Sequence, residues 1–281
     1  MFLFFCYNDS MIRSAKRATV IVVYVTFFLL LGWMVYSIIA PNPTCTDRKK
    51  NQGEEKADCG GPCKPCKKPI EASDLVIQEK NIIDGGSDII DGIEVKKYDV
   101  IARVKNPNES LGSPAFNYLI ILKDSSGNTL SERKGSEFIY PMEVKNLIEN
   151  NLEAKAEPKE AEVKIIKTEW IEFENYQKPR FSVYNKKFNL ISSGTGYCEV
   201  RGAVFNESKT DFGLVRVKVI LKDFQGNPIA ANKTEIRDLR TNEEREFKLF
   251  WPSRFPGEVN GENIETSAES NVFNPENLKI L

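Results

Sequence analysis

Residues 98–110 read YDVIARVKNPNES, and residues 197–208 read YCEVRGAVFNES. Each alternates inward and outward positions: Val100, Ala102 and Val104 in the first, Val200, Gly202 and Val204 in the second. A period of two belongs to a strand with one buried face. Downstream, YLIILKDSSGNTL at 118–130 aligns with VKVILKDFQGNPI at 217–229, so the offset over the matched strands is 99 to 100 residues. An internal repeat of that length is domain-sized, longer than a solenoid period. Val215, Val217, Val219 and Leu221 alternate with Arg216, Lys218 and Lys222, and only Ile220 breaks the polar face. Phe116, Tyr118, Ile120 and Leu122 hold the same places in the first copy. Each alternating strand ends in Lys-Asp and a glycine turn, which predicts an antiparallel hairpin. Seven or so short strands per copy argue a β-sandwich, here two tandem Ig/fibronectin-like antiparallel sandwiches over 70–178 and 179–281.

The shape of each copy resembles the FxLYD-type extracytoplasmic sandwich domains. Those have a strand V-x-G-x-V-x-N, then an alternating strand ending at D-x-x-G, then an apolar strand. Here the pattern is Val200 to Asn206, Asp223 to Gly226, then Phe247-Lys248-Leu249, while the first copy has Ala102 in place of the glycine. The resemblance implies an architecture and assigns no activity.

Upstream the texture changes. Residues 18–40, ATVIVVYVTFFLLLGWMVYSIIA, carry no charge over 23 residues. At 1.5 Å per residue a helix of that length spans about 34 Å, enough to cross a hydrocarbon core of ~30 Å. The run exceeds a signal-peptide core, no small-x-small cleavage site follows, and Pro41 comes next. It is read as an uncleaved anchor, with the lipid bilayer as partner. Arg13, Lys16 and Arg17 adjoin its amino-terminal end and favour a cytosolic tail, residues 1–17; Arg48, Lys49, Lys50 and Lys56 on the far side weaken that asymmetry.

Between anchor and sandwiches, residues 41–69 hold four cysteines, Cys45, Cys59, Cys63 and Cys66, in a segment with almost no aliphatic residues. Such a segment needs staples. Four thiolates would hold zinc in a reducing compartment, and in an oxidising one they would form two disulfides, with three pairings open. Cys45, Asp47, Asn51, Glu54, Asp58, Cys59, Gly60, Gly61 and Cys63 resemble the short cysteine-rich repeat of secreted and surface proteins whose hallmark is DCGGxC. That family usually has glycine after the first aspartate and threonine after the glutamate, where this chain has Arg48 and Glu55. The resemblance implies an extracytoplasmic, disulfide-bonded module acting as a stalk. The oxygens of Asp47, Asn51, Glu54 and Asp58 are a candidate calcium set, weighed against plain solvated turn formers.

Composition excludes more than it assigns. With 39 basic and 40 acidic residues the net charge is -1, which gives no reason to expect nucleic acid. There is no histidine, so relays and metal sites that need one are excluded. No P-loop, dinucleotide fingerprint or G-x-S-x-G elbow occurs, and Ser131 to Lys134 is an S-x-x-K string without companions. Cys198 reads as a buried thiol acting as a small hydrophobe. Asn108, Asn206 and Asn232 head N-x-S/T sequons beyond the anchor, the first two on strand-end turns where an exposed asparagine is expected; a fourth, Asn8, shares the cytosolic tail with Cys6.

The expectation is a single-pass, non-enzymatic protein of the cell membrane, its carboxy-terminal bulk outside, binding a surface protein or polymer. A structural spacer without a tight ligand, and an inverted zinc-bound cytosolic adaptor, are the alternatives.

Overall fold

A computed structural model describes residues 13–39, 45–66, 70–90 and 93–279. Cys6, Asn8 and the 67–69 linker lie outside them. Among the described residues the chain is mainly β, with one α-helix, and it divides into two compact units, residues 1–69 and 70–281.

In the first unit α1 runs Arg13–Ile39, and its apolar window covers Ala15–Tyr36. Apolar side chains lie exposed all along it, from Val20 through Leu29 to Tyr36. A helix apolar on all sides with no protein around it suits lipid as its solvent. Its two threonine hydroxyls are satisfied within the helix: Thr19 Oγ1 donates to the Ala15 carbonyl at 2.9 Å and Thr26 Oγ1 to that of Val22 at 2.8 Å. A threonine hydroxyl bonded back to its own helix is not left for lipid to solvate.

The second unit is built from antiparallel strands. Those of the first sandwich are β1 Val76–Ile90, β2 Ile93–Lys105, β3 Leu111–Lys123, β4 Thr129–Ile139, β5 Val144–Ala154, β6 Glu160–Thr168 and β7 Ile171–Glu172. Those of the second are β8 Phe181–Leu190, β9 Cys198–Asn206, β10 Asp211–Lys222, β11 Pro228–Leu239, β12 Glu244–Trp251, β13 Glu265–Glu269 and β14 Leu278–Lys279. The sheets are β1-β2-β5 and β4-β3-β6 in one, and β8-β9-β12 and β11-β10-β13 in the other, which is the same strand order. The two-residue strands also correspond, β7 pairing β3 and β14 pairing β10.

The alternation sets the cores. Phe116, Ile120 and Leu122 of β3 are fully buried against Val100, Ala102 and Val104 of β2. Val215, Val217, Val219 and Leu221 of β10 are equally buried against Val200 and Val204 of β9. Burying a Val or Leu side chain is worth about 1.5–3 kcal/mol, so these two stripes hold the layers together. Cys198 is buried in the second core, and burial pushes its thiol up to about 12. It is neutral and closed to solvent.

The hairpin turns match in detail. Asp124 Oδ1 accepts the Ser126 and Asn128 amides at 2.8 and 2.9 Å; Asp223 Oδ1 does the same for Gln225 and Asn227 at 2.9 and 2.8 Å.

One expectation about exposure is corrected. Asn206 is fully buried, its Nδ2 donating to the Thr210 and Arg240 carbonyls at 2.9 and 3.1 Å. Asn106 makes the same clasp, with Nδ2 donating to the Leu111 and Tyr140 carbonyls at 2.8 and 2.9 Å. The asparagine at this strand end ties one sheet to the other, because a buried carbonyl must find a donor. The Asn206 sequon is therefore closed in the folded protein.

Candidate functional site

The outward faces of two sheets meet where the sandwiches join. Ile220, the residue that breaks the polar face of β10, is 4% exposed and packs with Ile83, Ile101, Ile148 and Ala231. Sequence reading placed Arg216 and Lys218 on a solvated face. Lys218 is instead 3% exposed, because the neighbouring sandwich covers it.

Five charged groups converge there. Lys218 Nζ lies 3.1 Å from Glu137 and 2.6 Å from Glu269, and donates to the Asn146 carbonyl at 3.0 Å. Arg216 Nη1 sits 3.0 Å from both Glu137 oxygens, and Lys145 Nζ is 3.1 Å from Glu269 and 3.2 Å over the Phe138 ring. Burial alone would raise the Glu137 carboxyl, but Lys218, Lys145 and Arg216 outweigh it and bring it down to about 2. Burial lowers the Lys145 amine more than Glu269 and Glu137 raise it, whereas for Lys218 those two carboxylates outweigh burial and raise it. Further hydrogen bonds extend the seam. Asn150 Nδ2 donates to the Ala231 carbonyl at 2.8 Å and Lys233 Nζ to that of Ile148 at 2.9 Å, while Tyr140 hydrogen-bonds through its hydroxyl to the Ser270 carbonyl. Groups this buried and mutually paired fix one relative placement of the two sandwiches. They show no free nucleophile or base.

Beside this seam a cleft of about 330 Å³ opens between the sandwiches. Its floor is made by a β-bulge. Tyr98 pairs with Leu152 and Val100 with Glu149, so Asp99 faces two residues, Asn150 and Asn151. Asn151 takes φ 58°, and its amide donates to Asp99 Oδ1 at 2.9 Å. Bulges re-aim side chains, and asparagine tolerates the left-handed region. Asp99 is 8% exposed; burial raises its carboxyl, opposed by the Asn151 and Asn150 donors. The opposite wall is Trp251, Pro252, Ser253 and Phe255. The indole Nε1 of Trp251 has no acceptor among the described residues. Sequence reasoning missed this cleft. Its one signal was Asn150-Asn151, two turn-prone residues inside a strand.

In the cysteine module the disulfides are Cys45–Cys63 and Cys59–Cys66. All four thiols are consumed, which removes the zinc set. The four candidate calcium ligands are brought together but turned onto the loop itself. Glu54, 5% exposed, accepts the Asn51 and Asp58 amides at 3.2 Å. Both Asp58 oxygens accept the Arg48 amide at 3.0 Å, and Asp47 accepts the Lys49 amide and Asn51 Nδ2 at 2.8 Å. Cys63 Sγ lies 3.2 Å from Glu54 Oε1, a contact and not a hydrogen bond, since a disulfide sulfur has no proton. The geometry supports a structural task for these oxygens. Gly61 explains the paired glycines of the motif: its φ is +58°, and an added Cβ would lie 2.4 Å from the Gly53 carbonyl oxygen.

No protein-family model matches the chain, and no curated protein matches it. Among solved structures a red sea bream transglutaminase matches over 71% of this chain and 31% of its own, at 11% identity and a TM-score of 0.21. The chain thus spans about a third of that protein's length, and a likeness so loose carries nothing to this chain.

Proposed function

We propose that this chain is a single-pass, membrane-anchored surface protein of non-enzymatic type, whose paired sandwiches bind another protein or a polymer outside the cell. The observation that carries this reading is an all-round apolar helix followed in sequence by two disulfides. Disulfides persist in oxidising compartments, which favours an extracytoplasmic bulk. Arg13, Lys16 and Arg17 before the helix favour a cytosolic amino terminus. The resemblance of residues 45–63 to the DCGGxC repeat agrees with that placement, and the resemblance of the sandwiches to FxLYD-type domains agrees with an extracytoplasmic role. Absence of histidine, and charged groups spent on one another at the seam, favour binding over catalysis. The cleft favours a binder over a passive spacer.

The test is thiol labelling of intact cells with a membrane-impermeant reagent, before and after reduction, read at Cys45, Cys59, Cys63 and Cys66 by mass spectrometry. Labelling only after reduction is expected. Thiols protected until lysis, and then free, would invert the topology and end this reading.

A further inference from the structure

We infer that Lys145 and Glu269 condense with each other once the chain has folded, forming a side-chain amide that joins the two sandwiches covalently. The linkage goes beyond the surface-binder reading and does not depend on what the sandwiches bind. No group at the seam is free to act on an outside substrate, but this pair can react with itself. Lys145 lies on β5 of the first sandwich and Glu269 on β13 of the second. The Lys145 side chain is 1% exposed, its Nζ stands 3.1 Å from Glu269 Oε2, and the Phe138 ring lies 3.2 Å from the same amine. Among the described residues that Nζ makes no hydrogen bond, so the pair is close without the alignment of an ordinary donor and acceptor. Two reactants fixed side by side in a closed site turn a bimolecular encounter into an intramolecular step.

Two lysines share the site and are set to different roles. For Lys145 burial outweighs the carboxylates and favours the neutral amine, the form that attacks; for Lys218 the carboxylates outweigh burial and hold the cation. Lys218 Nζ lies 2.6 Å from Glu269 Oε1, placed to stabilise the oxygen on which negative charge gathers. The balance closes within the pair. One ammonium proton passes from Lys145 to the Glu269 carboxylate, Nζ adds to Cδ, and the Cδ–Oε2 bond breaks. Oε2 leaves as water with that proton and a second one from Nζ, while the third stays on the amide nitrogen. A cleft of about 240 Å³ beside Glu137, Phe138 and Glu269 gives the water a way out. Condensation removes one buried cation and one buried anion, and with them their desolvation cost. Glu137 keeps Arg216 and Lys218, at 3.0 and 3.1 Å. The second sandwich shows the contrast. On β12 the counterpart of Lys145 is Arg245, half-exposed and bonded to Glu243 and to backbone carbonyls. A guanidinium stays protonated and cannot attack.

The test is the intact mass of full-length protein purified in detergent micelles, measured after reduction and denaturation. The predominant species should be lighter than its sequence by one water. Trypsin should then fail to cut after Lys145, leaving residues 135–155 joined to residues 255–279 in one branched peptide. Lys145→Arg keeps the positive charge and has no amine to condense, so that chain should regain full mass. A predominant full-mass species in the native chain, cleavage after Lys145 in a lighter one, or a Lys145→Arg chain still short of one water would overturn the inference. Should Lys145→Arg fail to fold, the mass and peptide map of the native chain decide by themselves. Full mass together with disulfides accessible on intact cells would end the amide alone and leave the surface-binder reading standing.

Discussion

The two sandwiches share strand order, hairpin turns and the buried asparagine clasp, yet fill matched positions in opposite ways. In the first, Ala102 of β2 pairs across to Leu147; in the second, Gly202 of β9 pairs with Phe247. At the strand end, Tyr98 faces Leu152 in one and Cys198 faces Trp251 in the other. In each case β9 carries a smaller residue than β2 and β12 a larger one than β5, so the pair exchanges size as a unit. This is how a close-packed core changes composition at nearly constant volume. The difference at position 99 obeys no such exchange. Both residues are 8% exposed, yet one sandwich keeps a regular glutamate paired with two cations and the other an aspartate bound by amides at a bulge.

The strongest way to break the comparison is at the seam, which neither sandwich has by itself. Lys218→Met removes one cation and leaves Glu137 and Glu269 buried with less compensation. It should cost about 3–5 kcal/mol in chemical denaturation. Leu119→Lys, at the counterpart position on half-exposed β3, should cost no more than about 1 kcal/mol. Equal costs would mean that the two outward faces are alike and the seam is not the lock described.

Acid should act next. The Glu137 carboxyl is held at about 2 against an ordinary 4.5, so its contribution is complete above about pH 4.5 and is lost as pH falls toward 2. That depression corresponds to about 3 kcal/mol by linkage. Melting temperatures measured down through this window should fall for the native chain and stay flatter for Glu137→Gln. Parallel curves would remove Glu137 from the lock.

The size exchange gives a finer test. A Cβ on Gly202 would come within 2.6 Å of the Phe247 ring, so Gly202→Ala should cost about 1–3 kcal/mol by overpacking. Adding Phe247→Leu recreates the first sandwich's pair and should recover most of that loss. A double variant no better than the single one would show that the pairs are not interchangeable.

The smallest effect is expected in the cysteine module. Arg48 takes φ 60° where the related repeats have glycine, and its amide is clamped by Asp58. Arg48→Gly should stabilise the module by about 1 kcal/mol or less, seen as slower reduction of its disulfides. Faster reduction would mean that the arginine side chain itself holds the loop.

Much of this was legible in the residues. A period of two does not depend on partners, so Val215, Val217, Val219 and Leu221 named the inner face of β10 before any sheet was assembled. The apolar run and the cysteine spacing were equally local, since length and composition alone select lipid or demand staples. Even Ile220 stood out as an irregularity. What alternation could not supply was the identity of the surface opposite. Lys218 reads as solvated until a second sandwich covers it, and Asn206 reads as an exposed turn until its amide is needed by carbonyls more than thirty residues away. The cysteine pairing, the bulge at Asn150–Asn151 and the cleft above Asp99 likewise depend on chain segments that meet only after folding. Sequence by itself determined the apolar helix, the stapled module and the β-sandwiches, because each follows from local pattern. Tertiary structure alone decided how the sandwiches lock and where a ligand has room, because burial and pairing are properties of what lies across the gap.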